Sequence, residues 1–328
     1  MRTLKSDFIL LFVATIWGLA FVAQRMGMDH VGPYTFNGIR FALGAFSLLP
    51  LLVAASLKKR KGSKEKNLKD GANHTIKSRS PILDNSPDIM ENLKGGVAAG
   101  IALFAGASFQ QVGLVHTTAG KAGFITGLYV VIVPLMGLFW KAKTGAGTWI
   151  GAILASVGLY FLSVTEAMTI SYGDILVLSG AFCFAVHVHL VGKLGTRMDT
   201  LTLSFIQSMV CSALSLLVGL MVETISFQGI RMAALPIFYG GVFSVGIAYS
   251  LQIYGQKTSH PAHASILLSL ESVMAAIGGW LILGEILSGR ALSGCTIMMV
   301  GMLVSQLYPY IFPKLSNTPA MSVSDNIS

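Results

Sequence analysis

Trp149-Ile-Gly-Ala-Ile-Leu-Ala-Ser-Val-Gly158 and Leu292-Ser-Gly-Cys-Thr-Ile-Met-Met-Val-Gly301 carry glycine pairs at one shared spacing inside two apolar runs. Seven residues is about two helical turns, so each pair lies on one helix face, where another backbone can approach closely. Working outward in windows of about 19 residues gives ten apolar spans, roughly 7–26, 34–57, 94–115, 119–140, 147–165, 172–194, 200–222, 233–256, 261–284 and 289–311. The glycine pairs close the fifth and the tenth. A unit of five spans written twice therefore accounts for the sequence, and an odd number makes the second copy enter the membrane in the opposite sense. The fold class that follows is an all-α integral membrane protein, ten transmembrane helices as two inverted five-helix repeats, 1–165 and 166–313, with a cytoplasmic tail 314–328.

Composition agrees. Apolar residues make up 53% of the chain, charged residues 11%, and the mean hydropathy is +0.70, against about 25% charged residues in soluble domains. One crossing of about 30 Å of hydrocarbon takes about 20 residues, so ten crossings and their connections leave no room for a soluble domain. Spans in lipid are helices, because an open strand edge leaves its backbone unsatisfied there.

The net charge of +9 suits nucleic acid in isolation, but its placement follows the membrane. With the N-terminus inside, 18 of the 23 lysines and arginines fall on the cytoplasmic side, and four, Arg25, Lys121, Arg231 and Arg290, on the other. Without the 58–94 stretch the bias is still eight to four. This is the positive-inside pattern, with both termini cytoplasmic, and the run Lys58-Lys59-Arg60-Lys61 reads as a topology anchor rather than a nucleic-acid patch. The polar 58–93 stretch, with Pro81 and Pro87, is predicted to be a flexible basic cytoplasmic loop. Arg2, Lys5 and the run Phe8 to Ala23 resemble a signal peptide without its small-residue cleavage site, hence an uncleaved first helix. Cys183, Cys211 and Cys295 sit in separate spans and read as packing residues. The sequons at Asn73 and Asn326 fall on the cytoplasmic side, where glycosylation does not occur.

Burial cost selects the candidate site. An ionisable group near mid-membrane costs about 2.5–3.5 kcal/mol on insertion scales, so it faces a wet or paired interior. Arg40 lies about 9 Å into span 2 and Glu271 about 15 Å into span 9; each touches substrate, or the two neutralise one another. Gln24, Asn37, Gln110 and Gln111 gather in the outer half, as interhelical glue or as ligands for a zwitterion. Trp17 and Tyr129 fall at mid-depth, where aromatic belts are not expected. Gln252 and Gln256 share a face of span 8, aimed at an inner vestibule, and His187 is a further cavity candidate. His187 and His189 point about 200° apart on a helix, and His260 and His263 lack a third ligand, so no metal is expected. Gly96-x3-Gly100 and Gly123-x3-Gly127 give spans 3 and 4 small packing faces.

Six stretches carry a resemblance: Trp17-Gly-Leu-Ala-Phe-Val22, Arg40-Phe41, Lys121-Ala-Gly-Phe-Ile-Thr-Gly-Leu-Tyr-Val-Val-Ile-Val-Pro134, the span from Leu270-Glu-Ser-Val to Gly284-Glu285, and the two glycine-paired helices. Together they resemble the drug/metabolite transporter superfamily, in its EamA-type branch of ten-helix permeases, over nearly the whole chain. That resemblance implies a central cavity lined by helices 1–4 and 6–9, helices 5 and 10 at the periphery, and export or exchange of small metabolites across a cell membrane, a bacterial inner membrane foremost. Two departures stand out: Glu271-Ser272 replaces the family's Glu-Pro, and span 4 ends in Trp140-Lys141 where the family has Gly-Glu.

The expectation is alternating access for amino acids or related compounds, driven by the substrate gradient or by proton exchange, with no cofactor. No nucleotide-binding loop is present. A carrier of nucleotide-sugars or lipid-linked sugars is the rival, though it would ask for several buried cations where only Arg40 is well inside. A membrane-embedded enzyme would need a convergent catalytic set that the sequence does not offer. The expected partners are a small-molecule substrate and the lipid bilayer, with a homodimer left open and nucleic acid excluded.

Overall fold

Helices make up nearly all of the described residues. The computed structural model describes residues 2–70, 87–137, 145–163, 171–257, 264 and 267–312. The Trp140-Lys141 ending, His260, His263, the two sequons and the tail 314–328 lie outside these. In chain order the helices are α1 (Arg2–Gly27), α2 (Pro33–Asp70), α3 (Pro87–Leu114), α4 (Ala119–Gly127), α5 (Tyr129–Gly137), α6 (Ala146–Ser163), α7 (Tyr172–Leu194) and α8 (Thr200–Val222). There follow α9 (Phe227–Met232), α10 (Ala234–Phe238), a wide-turned π segment (Tyr239–Tyr249), α11 (Ser250–Gln256), α12 (Glu271–Leu283) and α13 (Gly289–Ile311).

Seven stretches are long and apolar enough to cross a membrane, on the predicted spans 1–4 and 6–8. Three shorter apolar helices, Trp149–Leu162, Leu267–Leu283 and Gly289–Val304, occupy spans 5, 9 and 10. Large apolar side chains such as Phe8 (70% exposed), Ile153 (62%) and Leu220 (71%) point outward, which suits a solvent as apolar as they are. One expectation gives way: residues 58–70 continue α2 as helix, and α3 starts at Pro87. Lys64-Glu65-Lys66 are good helix formers whatever their charge, and proline fits the first helical position, where no N–H is needed. Residues 71–86 of the predicted loop lie outside the described residues.

The packing is self-similar. α6 lies on α13, α2 on α8, and α4 on α12. The other principal pairs come as images of one another: α3 on α7 and span 8 on α1; α1 on α12 and α7 on span 4; α2 on span 8 and α8 on α3. Exchanging each span of the first half with its counterpart five places on returns the same set of pairs. The α6–α13 seam is where the paired glycines meet. A Cβ at Gly158 would stand 2.6 Å from the Gly294 carbonyl oxygen, and one at Gly294 2.7 Å from that of Gly158. Side chains are missing there because the two backbones touch. The other small faces do likewise: Gly100 lies against Val210 and Gln207 of α8, and Gly123 and Gly127 against Ser272 and Ala275 of α12.

Spans 4 and 9 break at matching places. Leu128 N–H donates to Ile125 O at 3.2 Å and Val131 N–H to Leu128 O at 2.9 Å; Leu270 N–H donates to Leu267 O at 3.4 Å and Val273 N–H to Leu270 O at 3.1 Å. Both are local tightenings to three-residue spacing, one residue ahead of Tyr129 and of Glu271. Span 9 turns here without the family's proline. In its place the Ser272 hydroxyl donates to Gly123 O across the α4–α12 crossing at 2.8 Å.

Candidate functional site

At the level of these two breaks a small cavity of about 50 Å³ lies between the halves. Eight of the ten candidate residues line it: Trp17, Gln24, Arg40, Gln110, Tyr129, His187, Gln252 and Glu271. Asn37 and Gln111 stand one layer back. The remaining wall is Ala20, Phe21, Thr126, Phe184, Val188, Ser244 and Tyr249.

Each polar group is held by a neighbouring helix. Trp17 and Gln24, seven residues apart on α1, share a face. Trp17 Nε1 donates to the Ser244 carbonyl of the π segment at 3.1 Å, and its ring meets that of Tyr249 at 4.9 Å. Tyr249 in turn stands edge-on to His187 at 6.0 Å. A ring nitrogen of His187 bonds Gln207 Oε1 at 3.0 Å, so the histidine is fixed from the side away from the cavity. Gln110 Nε2 donates to Thr126 Oγ1 at 3.1 Å, closing span 3 onto span 4.

Arg40 is wedged on every side but one. Its Nε donates to Asn37 Oδ1 at 2.9 Å, and Asn37 Nδ2 donates to Ala107 O of α3 at 3.0 Å. The guanidinium lies 4.9 Å from the Phe41 ring centroid and 5.7 Å from that of Phe36, in cation–π range. Opposite its stem is Gly240, where a Cβ would come within 3.2 Å of Arg40 Cδ. Asn37 thus orients the arginine rather than lining the cavity, and Gln111 reaches back to Gln24 O at 3.4 Å.

The negative pole is separate. Arg25 pairs with Asp29 and Lys121 with Asp174, and no ion pair joins Arg40 to Glu271. Glu271 begins α12 beside Tyr129. Gln24 Oε1 and Gln252 Oε1 are buried with no hydrogen-bond partner, while the Tyr129 hydroxyl and the Glu271 carboxylate meet one another. An unsatisfied buried polar atom costs about 1–3 kcal/mol, so each of these two amide oxygens gains from a donor brought to it.

The sequence did not single out Ser244 or Thr126, since neutral hydroxyls and apolar wall residues carry no depth signal. Tyr249 could have been found: it is three residues from Gln252, on the same helical face. Gln256, which shares that face in an ideal α-helix, is buried but does not line the cavity.

Comparison with known proteins places this architecture. An uncharacterized transporter of Archaeoglobus fulgidus is 29% identical over 308 residues, covering 94% of this chain and 87% of that protein. The uncharacterized transporter YoaV of Bacillus subtilis is 22% identical over 303 residues, covering 89% of this chain and 94% of its own length. A solved crystal structure with 16% identity superposes over 94% of this chain and 98% of that one, with a TM-score of 0.67, a likeness of fold. Residues 4–164 and 171–306 each match the family described as EamA-like transporters, one segment per half. The chain, a multi-pass helical membrane protein, belongs to the EamA-like transporter family, within the drug/metabolite transporter superfamily.

Proposed function

We propose that this transporter moves small zwitterionic metabolites, amino acids and related compounds foremost, out of the cell by alternating access. The observation that carries the reading is the pair of unjoined poles, Arg40 and Glu271, on the wall of one cavity between the halves. A guanidinium takes a carboxylate through two parallel N–H donors. Glu271, with the carbonyl oxygens of Gln24 and Gln252, offers acceptors to an ammonium group. A substrate carrying both charges completes the set, and its apolar part meets Trp17, Phe21 and Tyr249. A sugar nucleotide brings two or more negative charges to a single buried arginine and ranks below.

The self-similar packing supports rocking of the two halves about the cavity. With both termini cytoplasmic, the starts of α2 and α4 face outside. The driving force is the substrate gradient or proton exchange, the latter through Glu271. The test is counterflow in proteoliposomes against a panel of amino acids, nucleobases, sugar nucleotides and organic cations. Saturable exchange of zwitterions, weakened by R40A about tenfold or more for carboxylate-bearing substrates and weakened but measurable in E271Q, is the expected result. Exchange confined to substrates without a carboxylate overturns the reading.

A further inference from the structure

Two carboxylates outside the cavity each grip the start of a helix from the opposite half. Glu223, just after α8, accepts from Tyr34 N–H through Oε1 and from Thr35 N–H through Oε2, both at 2.8 Å. Glu285, just after α12, accepts from Ala119 N–H through Oε1 at 2.8 Å and from Gly120 N–H through Oε2 at 3.0 Å. The first orphan donors of α2 and α4 are thereby satisfied by a charge that the helix dipole favours. Both grips sit at the same end of the bundle and both cross between halves. A third contact joins them there: Lys121 Nζ lies 3.6 Å from Asp174 Oδ2, while Thr117 Oγ1 donates to Asp174 Oδ1 at 2.7 Å.

The sequence denies the same contacts to the other end. The residue that follows span 2, as Glu223 follows span 7, is Lys58; the residue at the close of span 4, where span 9 has Glu285, is Lys141. An ammonium cannot accept from backbone N–H groups, and the positive end of a helix dipole repels it.

We propose that Glu223 and Glu285 are gating residues of the transport cycle: a pair of latches that hold the bundle shut at the end where α2 and α4 begin and must release for the cavity to open there. This rests on the alternating-access reading above. Rocking the halves apart at that end pulls each carboxylate off its helix, and a carboxylate can exchange two backbone N–H groups for water more readily than a packed apolar contact can part. Glu→Gln keeps the shape but leaves one acceptor oxygen where two N–H groups converge, and sets an NH2 against the second donor.

The experiment labels a single cysteine at Thr126, a cavity wall position, in a chain whose Cys183, Cys211 and Cys295 are serine, reconstituted in vesicles of known orientation. A membrane-impermeant maleimide is applied from either face. E223Q and E285Q are each expected to raise labelling from the latched face roughly tenfold, the worth of one charge-assisted hydrogen bond, and to lower it from the opposite face. E223D and E285D should fall between. Unchanged rates at the latched face, in a parent labelled from both faces, overturn the latch and leave the transport reading standing. Rates raised equally from both faces show loosened folding and also overturn it. A parent labelled from one face alone removes alternating access itself.

Discussion

Glu271 is the residue on which proton coupling turns. It is buried, it starts α12, and among the cavity-lining residues it is the one carboxylate. If protons drive exchange, flux in the parent protein rises with an imposed proton gradient, and E271Q, which cannot carry a proton, gives flux flat in pH. Measuring flux at several pH values on the two sides of proteoliposomes checks this, and an undiminished pH dependence in E271Q removes the role. The burial-cost argument found Glu271 and Arg40 because charge at depth is expensive enough to demand a wet or paired interior. It was weaker for amides, which serve glue and cavity alike at similar energies. Asn37 and Gln24 look equivalent in sequence, yet one braces Arg40 and the other faces the cavity. Only the rotation of each helix about its axis separates them.

At the scale of elements, the glycine pairs told more than their number suggests. Their spacing implied a backbone contact, and α6 and α13 supply it to each other. G158L drives a side chain into Gly294 O and Met298 N, at 2.6 and 2.7 Å from the first added carbon. Backbone atoms cannot step aside as a side-chain end can, so the expected loss is at least the about 1–3 kcal/mol of an overpacked core. The readout is a lower thermal midpoint in detergent, against G289A as control, where an added carbon meets nothing within 4 Å. A midpoint unchanged by G158L sinks the backbone-contact account. The breaks in spans 4 and 9 were not legible: apolar periodicity runs straight through Leu128 and Leu270, and the absent proline argued against a bend at Ser272. Instead the backbone tightens at Leu270, and the Ser272 hydroxyl bonds Gly123 O across the helix crossing. The continuation of α2 to Asp70 was missed for a related reason, since charge was read as disorder where helix propensity prevailed.

The whole molecule was the most legible scale, because the bilayer leaves few choices. Span length, basic bias and an odd count per half led to an all-helical bundle of two like halves, and the self-similar packing agrees with it. The proposed opposed halves predict that both termini lie on one face, with the 223–232 and 284–290 connections on the other. Cysteine tags near residue 2, residue 286 and residue 312, probed with an impermeant reagent in intact cells, should label at 286 alone. Labelling at 2 and 312 from opposite faces would dissolve the opposed-halves arrangement, and with it the physical basis of the rocking motion.

The α6–α13 seam has a thermodynamic corollary. If the inward-open and outward-open forms are related by the halves trading conformations, any contact that maps onto itself in that trade has the same energy in both and drops out of their difference. Glycine against glycine is such a contact: it fixes how firmly the molecule holds together and says nothing about which way it faces at rest. The resting preference falls to whatever the two halves do not share, so a few unmatched side chains outweigh the whole α6–α13 seam.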